Sequence, residues 1–270
     1  MKIRPLFIAN VLACIALAPG AAPGQTSTTD DRIAVSVQGS TLTGTDGGGG
    51  GSLSWLHNFD ASSIGTLAVE HQDLSVARWT FGSVTGSLTR GPEDARISVY
   101  GEAHEGTGND GPNTFNYEIE AVGVVGTFFH KLSAQLEDRR IDVETTHGNL
   151  PKAGLSYLWG PRLLTSVAYQ YTVSGNLGTR MTTARIDNYG AAVNFLGGVA
   201  FGQASATVLN LGIEYPGRQL KEGYVGMSKP FAHQRSELTL IADYLELSGN
   251  KRATLTLNYI FHVGATGTAR

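Results

Sequence analysis

The sequence predicts an all-β protein: one antiparallel sheet closed into an up-and-down transmembrane β-barrel of fourteen strands, with twelve as the alternative count, after a cleaved signal peptide. Three observations predict it. Apolar and polar residues alternate with a period of two along most of the 270 residues. A strand with lipid on one side and water on the other needs that alternation. The connectors between these stretches alternate short and long, as barrel turns and outer loops do. Charged residues make up 16% of the chain, against roughly 25% in soluble proteins.

The leader comes first. Residues 1–24 read as a signal peptide: Lys2 and Arg4 form the positive start, Leu6 to Ala18 the apolar run, and Ala21-Ala22-Pro23-Gly24 the small-residue cleavage site before Gln25. The run is too short for a membrane helix, which needs about 20 apolar residues. Val11-Leu12-Ala13-Cys14 faintly resembles a lipoprotein cleavage box, although apolar residues continue past it. Cys14 is the sole cysteine, so a cleaved chain has no disulfide and no thiol chemistry.

Residues 25–270 then read as a single barrel domain with a short C-terminal tail, 262–270. Ile33, Val35 and Val37 alternate with Ala34, Ser36 and Gln38. Leu53, Trp55, His57 and Phe59 share one face, as do Gly65, Leu67, Val69 and His71. Ala95, Ile97, Val99, Gly101 and Ala103 alternate with Arg96, Ser98, Tyr100, Glu102 and His104. Phe115, Tyr117, Ile119 and Ala121 alternate with Asn116, Glu118 and Glu120, and Leu132, Ala134 and Leu136 with Lys131, Ser133, Gln135 and Glu137. Ala153, Leu155, Tyr157 and Trp159 form a face, followed by Thr165, Val167, Tyr169, Tyr171 and Val173, and by Tyr189, Ala191, Val193 and Phe195.

The short connectors are Asp60 to Ser63, Arg90 to Glu93, Gly126-Thr127, Gly160-Pro161-Arg162, Gly197-Gly198 and Ala232 to Gln234. The longer ones are Thr43 to Gly51, Glu105 to Asn113, Arg139 to Leu150, Ser174 to Thr183 and Glu214 to Lys221. Counting from the first strand puts every short turn and both termini on the periplasmic side. The strands fall near 31–43, 51–59, 63–72, 77–89, 94–105, 113–125, 128–138, 151–159, 163–173, 183–196, 198–213, 221–231, 235–247 and 252–263. A parity change between Val208 and Leu209 points to a bulge.

Aromatic residues near strand ends are expected to form interfacial belts. One belt holds Trp55, Phe59, Tyr157, Trp159, Phe195, Phe231, Tyr259 and Phe261, and the outer one Trp79, Phe81, Phe115, Tyr117, Tyr171, Tyr215 and Tyr244.

The formal charge is −3, and losing Lys2 and Arg4 makes it more acidic by two. That excludes the clustered basic footprint of nucleic-acid binding. Glycine is 35 of 270 residues, well above the usual share of about 7%. A mean hydropathy of −0.07 with no long apolar run excludes a helical membrane protein. It leaves a barrel open, because the two faces cancel in any window.

The last strand reads Ala253 to Phe261, with Ala253, Leu255, Leu257, Tyr259 and Phe261 on one parity and Arg252, Thr254, Thr256 and Asn258 on the other. This stretch resembles the C-terminal signature strand of bacterial outer-membrane β-barrel proteins of the porin-like kind. That family usually stops at the aromatic residue, whereas this chain runs on to Arg270. The resemblance implies export through the periplasm of a Gram-negative bacterium to its outer membrane, contact with outer-membrane lipid, and recognition of Leu255, Leu257, Tyr259 and Phe261 by the β-barrel assembly machinery.

The candidate pore-lining residues are Arg96, Glu102, His104, Glu118, Glu120, Lys131 and Glu137, the charged members of the parity taken as inward. They read either as a salt-bridged interior that fixes register or as a charged constriction acting on ions or solutes. Glu102 and His104 are the catalytic candidates, since a histidine oriented by a carboxylate activates a hydroxyl or water. The nearest hydroxyl on their face is Ser98, which lies deeper. Asp138, Asp142, Glu144 and His147 fit no defined calcium loop, and Gly47 to Gly51 lacks the lysine of a phosphate loop. Nothing calls for a metal or another cofactor.

Fourteen strands enclose more lumen than eight, so the architecture leads to passive passage of ions or small solutes. Two alternatives stay open: an enzyme acting on lipid or peptide at the barrel rim, and a structural or export-accessory barrel for a secreted polymer. A soluble secreted β-protein is the outsider.

Overall fold

The computed structural model describes residues 31–43, 47–60, 62–74, 77–92, 94–110, 112–143, 146–190, 192–204, 218–231, 236–247 and 250–263. The leader with Cys14, the Val208–Leu209 parity change, Tyr215, Glu144 and the tail beyond Val263 lie outside them. Among the described residues the structure is all strand, with no helix. The segments are β1 (Asp31–Leu42), β2 (Gly48–Asp60), β3 (Ser63–Leu74), β4 (Ala77–Arg90), β5 (Ala95–Asp110), β6 (Asn113–Phe128), β7 (Leu132–Val143) and β8 (Thr146–Asn149). There follow β9 (Lys152–Trp159), β10 (Leu163–Tyr171), β11 (Ser174–Gly175), β12 (Arg180–Tyr189), β13 (Asn194–Ala204), β14 (Arg218–Phe231), β15 (Ser236–Leu247) and β16 (Asn250–Val263).

All pairings are antiparallel, each strand lies beside its sequence neighbour once β8 is counted with β9 and β10 with β11, and β1 pairs with β16 to close the sheet. The sixteen segments make fourteen barrel strands. β8 and β9 meet β7 in one continuous register, Arg140 facing Asn149 and Glu137 facing Lys152. The Leu150 N–H still donates to the Arg139 carbonyl at 2.8 Å. The ladder is interrupted at Pro151, which has no N–H to give. β11 likewise prolongs β10 beside the same partner strand, with an irregularity at Thr172 and Val173.

The outer wall is apolar: Val35, Leu53, Leu67, Val99, Val122, Leu155, Val199, Val225, Leu255 and many others are exposed at every second position. Burial of apolar side chains cannot explain such a surface in water, and a surrounding lipid phase does.

Of the six short turns, those at Asp60, Gly91 and Gly160 fall where the sequence places them, two move, and Ala232 to Gln234 lies outside the described residues. β6 runs through Gly126 and Thr127 to Phe128, and the chain turns at Phe129 and His130, both in the left-handed region at φ 53° and 57°. β12 ends at Tyr189, so the turn precedes β13 and Gly197-Gly198 lies within that strand. The Gly198 site is a packing requirement: a Cβ there would stand 2.6 Å from the Tyr224 ring. In the β2–β3 turn the Asp60 carboxylate accepts from the Ser62 N–H at 2.6 Å and its hydroxyl at 2.7 Å. These bonds hold its pKa at about 2, below the usual carboxylate range.

Two of the expected long loops, Glu105 to Asn113 and Arg139 to Leu150, are mostly strand. β5 and β6 pair all the way to Asp110 and Asn113, and β7 with β8 fills most of 139–150. At 16 residues each, β5 and β6 exceed the roughly 9–11 residues that cross a bilayer. The barrel wall therefore continues beyond the membrane at the end opposite the chain termini.

Candidate functional site in the barrel lumen

The inward parity of each strand is identified by burial, and it changes character along the barrel. Near the end that carries the termini hydroxyls are frequent on it, at Thr66, Ser87, Ser98, Ser133, Ser156 and Ser166, all half-buried. Short hydroxyl side chains reach less far into the lumen than the residues beyond them and can hydrogen-bond water.

Midway lies a charged belt on β5, β7 and β9. Glu102, His104 and Glu137 are buried on the inner face, and Arg96 lies half-buried on the same parity of β5. Arg139 binds Glu102 Oε1 through Nη2 at 2.5 Å and Glu137 Oε1 through Nε at 3.4 Å. Lys152 Nζ stands 3.6 Å from Glu137 Oε2. The Tyr100 hydroxyl donates to Glu137 Oε2 at 2.5 Å, and Gln135 Nε2 donates to that hydroxyl at 2.6 Å. Tyr100 reaches Glu137 by lying across Gly123 of the intervening strand, where any Cβ would collide with its ring. Two carboxylates thus face one guanidinium and one ammonium, so the belt is close to neutral.

At the loop end the lumen wall turns apolar. Trp79, Phe81, Phe115, Tyr117, Ile119, Ile141, Val143, Leu150, Leu177 and Met181 are all buried. Phe81 lies against Tyr117 with ring centroids 5.6 Å apart, and Phe115 folds over Gly108 of β5. On the remaining arc, Arg252 Nη2 binds Asp243 Oδ1 at 3.1 Å, and Gln72 Nε2 donates to Glu70 Oε1 at 2.6 Å.

The sequence-predicted residues divide. Arg96, Glu102, His104 and Glu137 stand on the inner face. Glu118 and Glu120 do not: they are exposed, on the outward parity that continues into Val122 and Val124. Lys131 is exposed in the β6–β7 turn. The cause is a change of apolar parity within β6. Its half nearest the turn is apolar outward, toward lipid, while its far half is apolar inward, because there the outside meets headgroups and water. Trp79, Phe81, Phe115 and Tyr117 therefore line the lumen and not the outer belt, whereas Tyr171 and Tyr244 do face outward. The missed residues had a signal, since β4 and β7 switch in the same way: Val84 and Leu136 face out, Phe81 and Ile141 face in.

As for the catalytic candidates, His104 Nε2 lies 3.7 Å from Glu102, whose carboxylate is already engaged by Arg139. His104 Nδ1 has no hydrogen-bond partner among the described residues. Ser83, and not Ser98, is its cross-strand neighbour. Among the described residues no cluster of three or more metal-ligating side chains occurs. Leu255, Leu257 and Tyr259 are exposed on the outer wall and Phe261 shares their parity.

No protein-family model matches the chain, and no curated protein does. Solved structures do match. The CymD monoaromatic hydrocarbon channel superposes with a TM-score of 0.61 at 10% identity, over 96% of this chain and 94% of that one. A deletion mutant of TodX, also a monoaromatic hydrocarbon channel, gives 0.54 at 8% identity, over 88% and 91%. The Acinetobacter baumannii outer membrane protein Omp33 gives 0.52 at 11% identity, over 86% and 98%. The fold is thus that of bacterial outer-membrane β-barrels.

Proposed function

We propose that this barrel is a passive channel of the Gram-negative outer membrane, and that the solutes it passes are small and carry apolar surface. The observation that supports this most is the graded lumen: hydroxyl-lined at one end, charged and near-neutral midway, aromatic and apolar at the other. A hydrated ion loses stabilisation on entering an apolar collar, whereas an aromatic or aliphatic body gains contacts there. The two matched hydrocarbon channels, whose names state such solutes, support the same reading by fold alone.

Arg96, Glu102, His104 and Glu137 are the lining residues in this reading. The terminal-strand residues Leu255, Leu257, Tyr259 and Phe261 serve assembly, with outer-membrane lipid and the assembly machinery as partners. The rim enzyme is not favoured, since among the described residues no hydroxyl is bonded to His104. The export-accessory barrel has no specific observation behind it.

The test is flux through refolded protein whose unboiled form runs heat-modifiably on a gel. In planar bilayers we expect small discrete conductance steps in KCl, and in liposomes faster uptake of small aromatic solutes than of sugars of equal mass. A folded barrel that passes neither ions nor solutes would end the channel reading. Glu137→Gln should change the conductance and Glu118→Gln should not.

A further inference from the structure

The apolar collar is incomplete, and its other arc is polar and acidic. On the inner face of β14, β15, β16, β1 and β3 stand Glu222, Asp243, Arg252, Thr254, Gln38, Glu70 and Gln72, interleaved with Leu220 and Leu245. They form a contiguous row: Gln72 faces Gly50, Gly50 faces Gln38, and Gln38 faces Thr256, the inward residue next to Thr254. Thr254 in turn faces Asp243. The row meets the aromatic arc directly, since Gln72 is the cross-strand partner of Trp79.

Two features of this arc are unusual. It holds three carboxylates, and among its described side chains Arg252 is the one guanidinium, already bound to Asp243. In addition, three of its oxygens have no hydrogen-bond partner among the described residues: Gln72 Oε1, Asp243 Oδ2 and Thr254 Oγ1. The residues that carry them are 0%, 5% and 5% exposed. A buried polar group without a partner costs free energy, and more so when charged. Asp243 Oδ2 and Gln72 Oε1 can only accept, and the Thr254 hydroxyl accepts as readily as it donates. The unmet atoms of the arc are thus three that can accept against one that donates, Arg252 Nε, where carboxyl groups outnumber the guanidinium.

We infer that the collar is a binding site for a small organic cation that carries N–H donors on an apolar or aromatic body, such as an amidinium or a primary ammonium. Its charged head lies against Glu70 and Gln72, beside the aromatic arc, with Asp243 farther along the same row. Its body lies against Trp79, Phe81 and Tyr117, whose rings favour a neighbouring cation as well as an apolar group. Neutral hydrocarbons satisfy only the aromatic arc, and a carboxylate brings no donor to the other. The inference rests on the channel reading, because it names the solute class for the same lumen.

The test is calorimetric binding to the heat-modifiable barrel in lipid nanodiscs with three probes of similar body. Benzamidinium carries charge and donors, phenyltrimethylammonium carries charge without N–H, and benzoate carries the opposite charge. Benzamidinium should bind at least tenfold tighter than benzoate and several-fold tighter than phenyltrimethylammonium. Glu70→Gln should weaken benzamidinium about tenfold and Asp243→Asn, four strands along the wall, by a smaller factor, with Glu118→Gln on the outer wall leaving it unchanged. Equal binding of benzamidinium and benzoate overturns the inference, as does insensitivity to both lumen substitutions in folded protein. Bilayer flux separates the two ideas: conduction without cation preference removes the site and keeps the channel, whereas tight benzamidinium binding without any flux does the reverse.

Discussion

Arg139 is the side chain on which the charged belt depends. It bridges Glu102 and Glu137, which are 9% and 8% exposed. Removing one partner of a buried ion pair leaves a desolvated charge, at a cost of about 3–5 kcal/mol. The Arg139 side chain is itself 30% exposed, so solvent screens part of the loss and the effect belongs near about 2–3 kcal/mol. Arg139→Gln should therefore lower the urea midpoint of the folded barrel. Adding Glu102→Gln should recover part of the loss, as a double-mutant cycle would read it. Strict additivity of the two would mean that the pair is not coupled.

At the scale of elements, the β6–β7 turn is the place where local preference and tertiary structure disagree. Phe129 and His130 both occupy the left-handed region, which costs an L-residue with a bulky side chain roughly 1–2 kcal/mol. The Lys131 N–H donates to the Phe128 carbonyl at 3.1 Å, closing the turn regardless. It is imposed by the pairing on either side, because β6 and β7 must keep Glu137 and Arg139 on the inner face. Replacing Phe129 by Asn and His130 by Gly should stabilise the barrel by about 1–2 kcal/mol in equilibrium unfolding. A loss of stability would show that the Phe129 ring, 81% exposed, makes contacts in the membrane-bound protein. Pro151 works in the opposite sense: it interrupts a ladder that the flanking residues would otherwise complete.

For the whole molecule, the decisive property is which face of the sheet meets lipid. Leu257 points outward near the middle of β16 and Thr256 points inward. A lysine on the lipid face near mid-depth costs about 2–4 kcal/mol. Leu257→Lys should therefore destabilise the protein by that much in bilayers, and Thr256→Lys by about 0–1 kcal/mol, since its ammonium reaches lumen water. Equal effects at the two positions would contradict a lipid-facing wall. The same division explains why an apolar lumen at the loop end is tolerated: the wall has left the membrane there, so its outside is polar and its inside packs.

The period-two pattern, the fourteen strands and the turns at Asp60, Gly91 and Gly160 were readable from the residues alone, because alternation and turn chemistry are local. The inward placement of Glu102, His104 and Glu137 was readable for the same reason. Alternation separates two faces without saying which one meets lipid, so Glu118, Glu120, Trp79, Phe81, Phe115 and Tyr117 were assigned to the wrong side. Only the closed sheet decides that, since a strand longer than the bilayer changes its outer solvent partway along. The partners of Arg139, the passage of Tyr100 across Gly123, and the row of unmet acceptors from Gln72 to Asp243 also belong to tertiary structure. They join residues far apart in the chain, and cross-strand register, which no single segment encodes, is what brings them together.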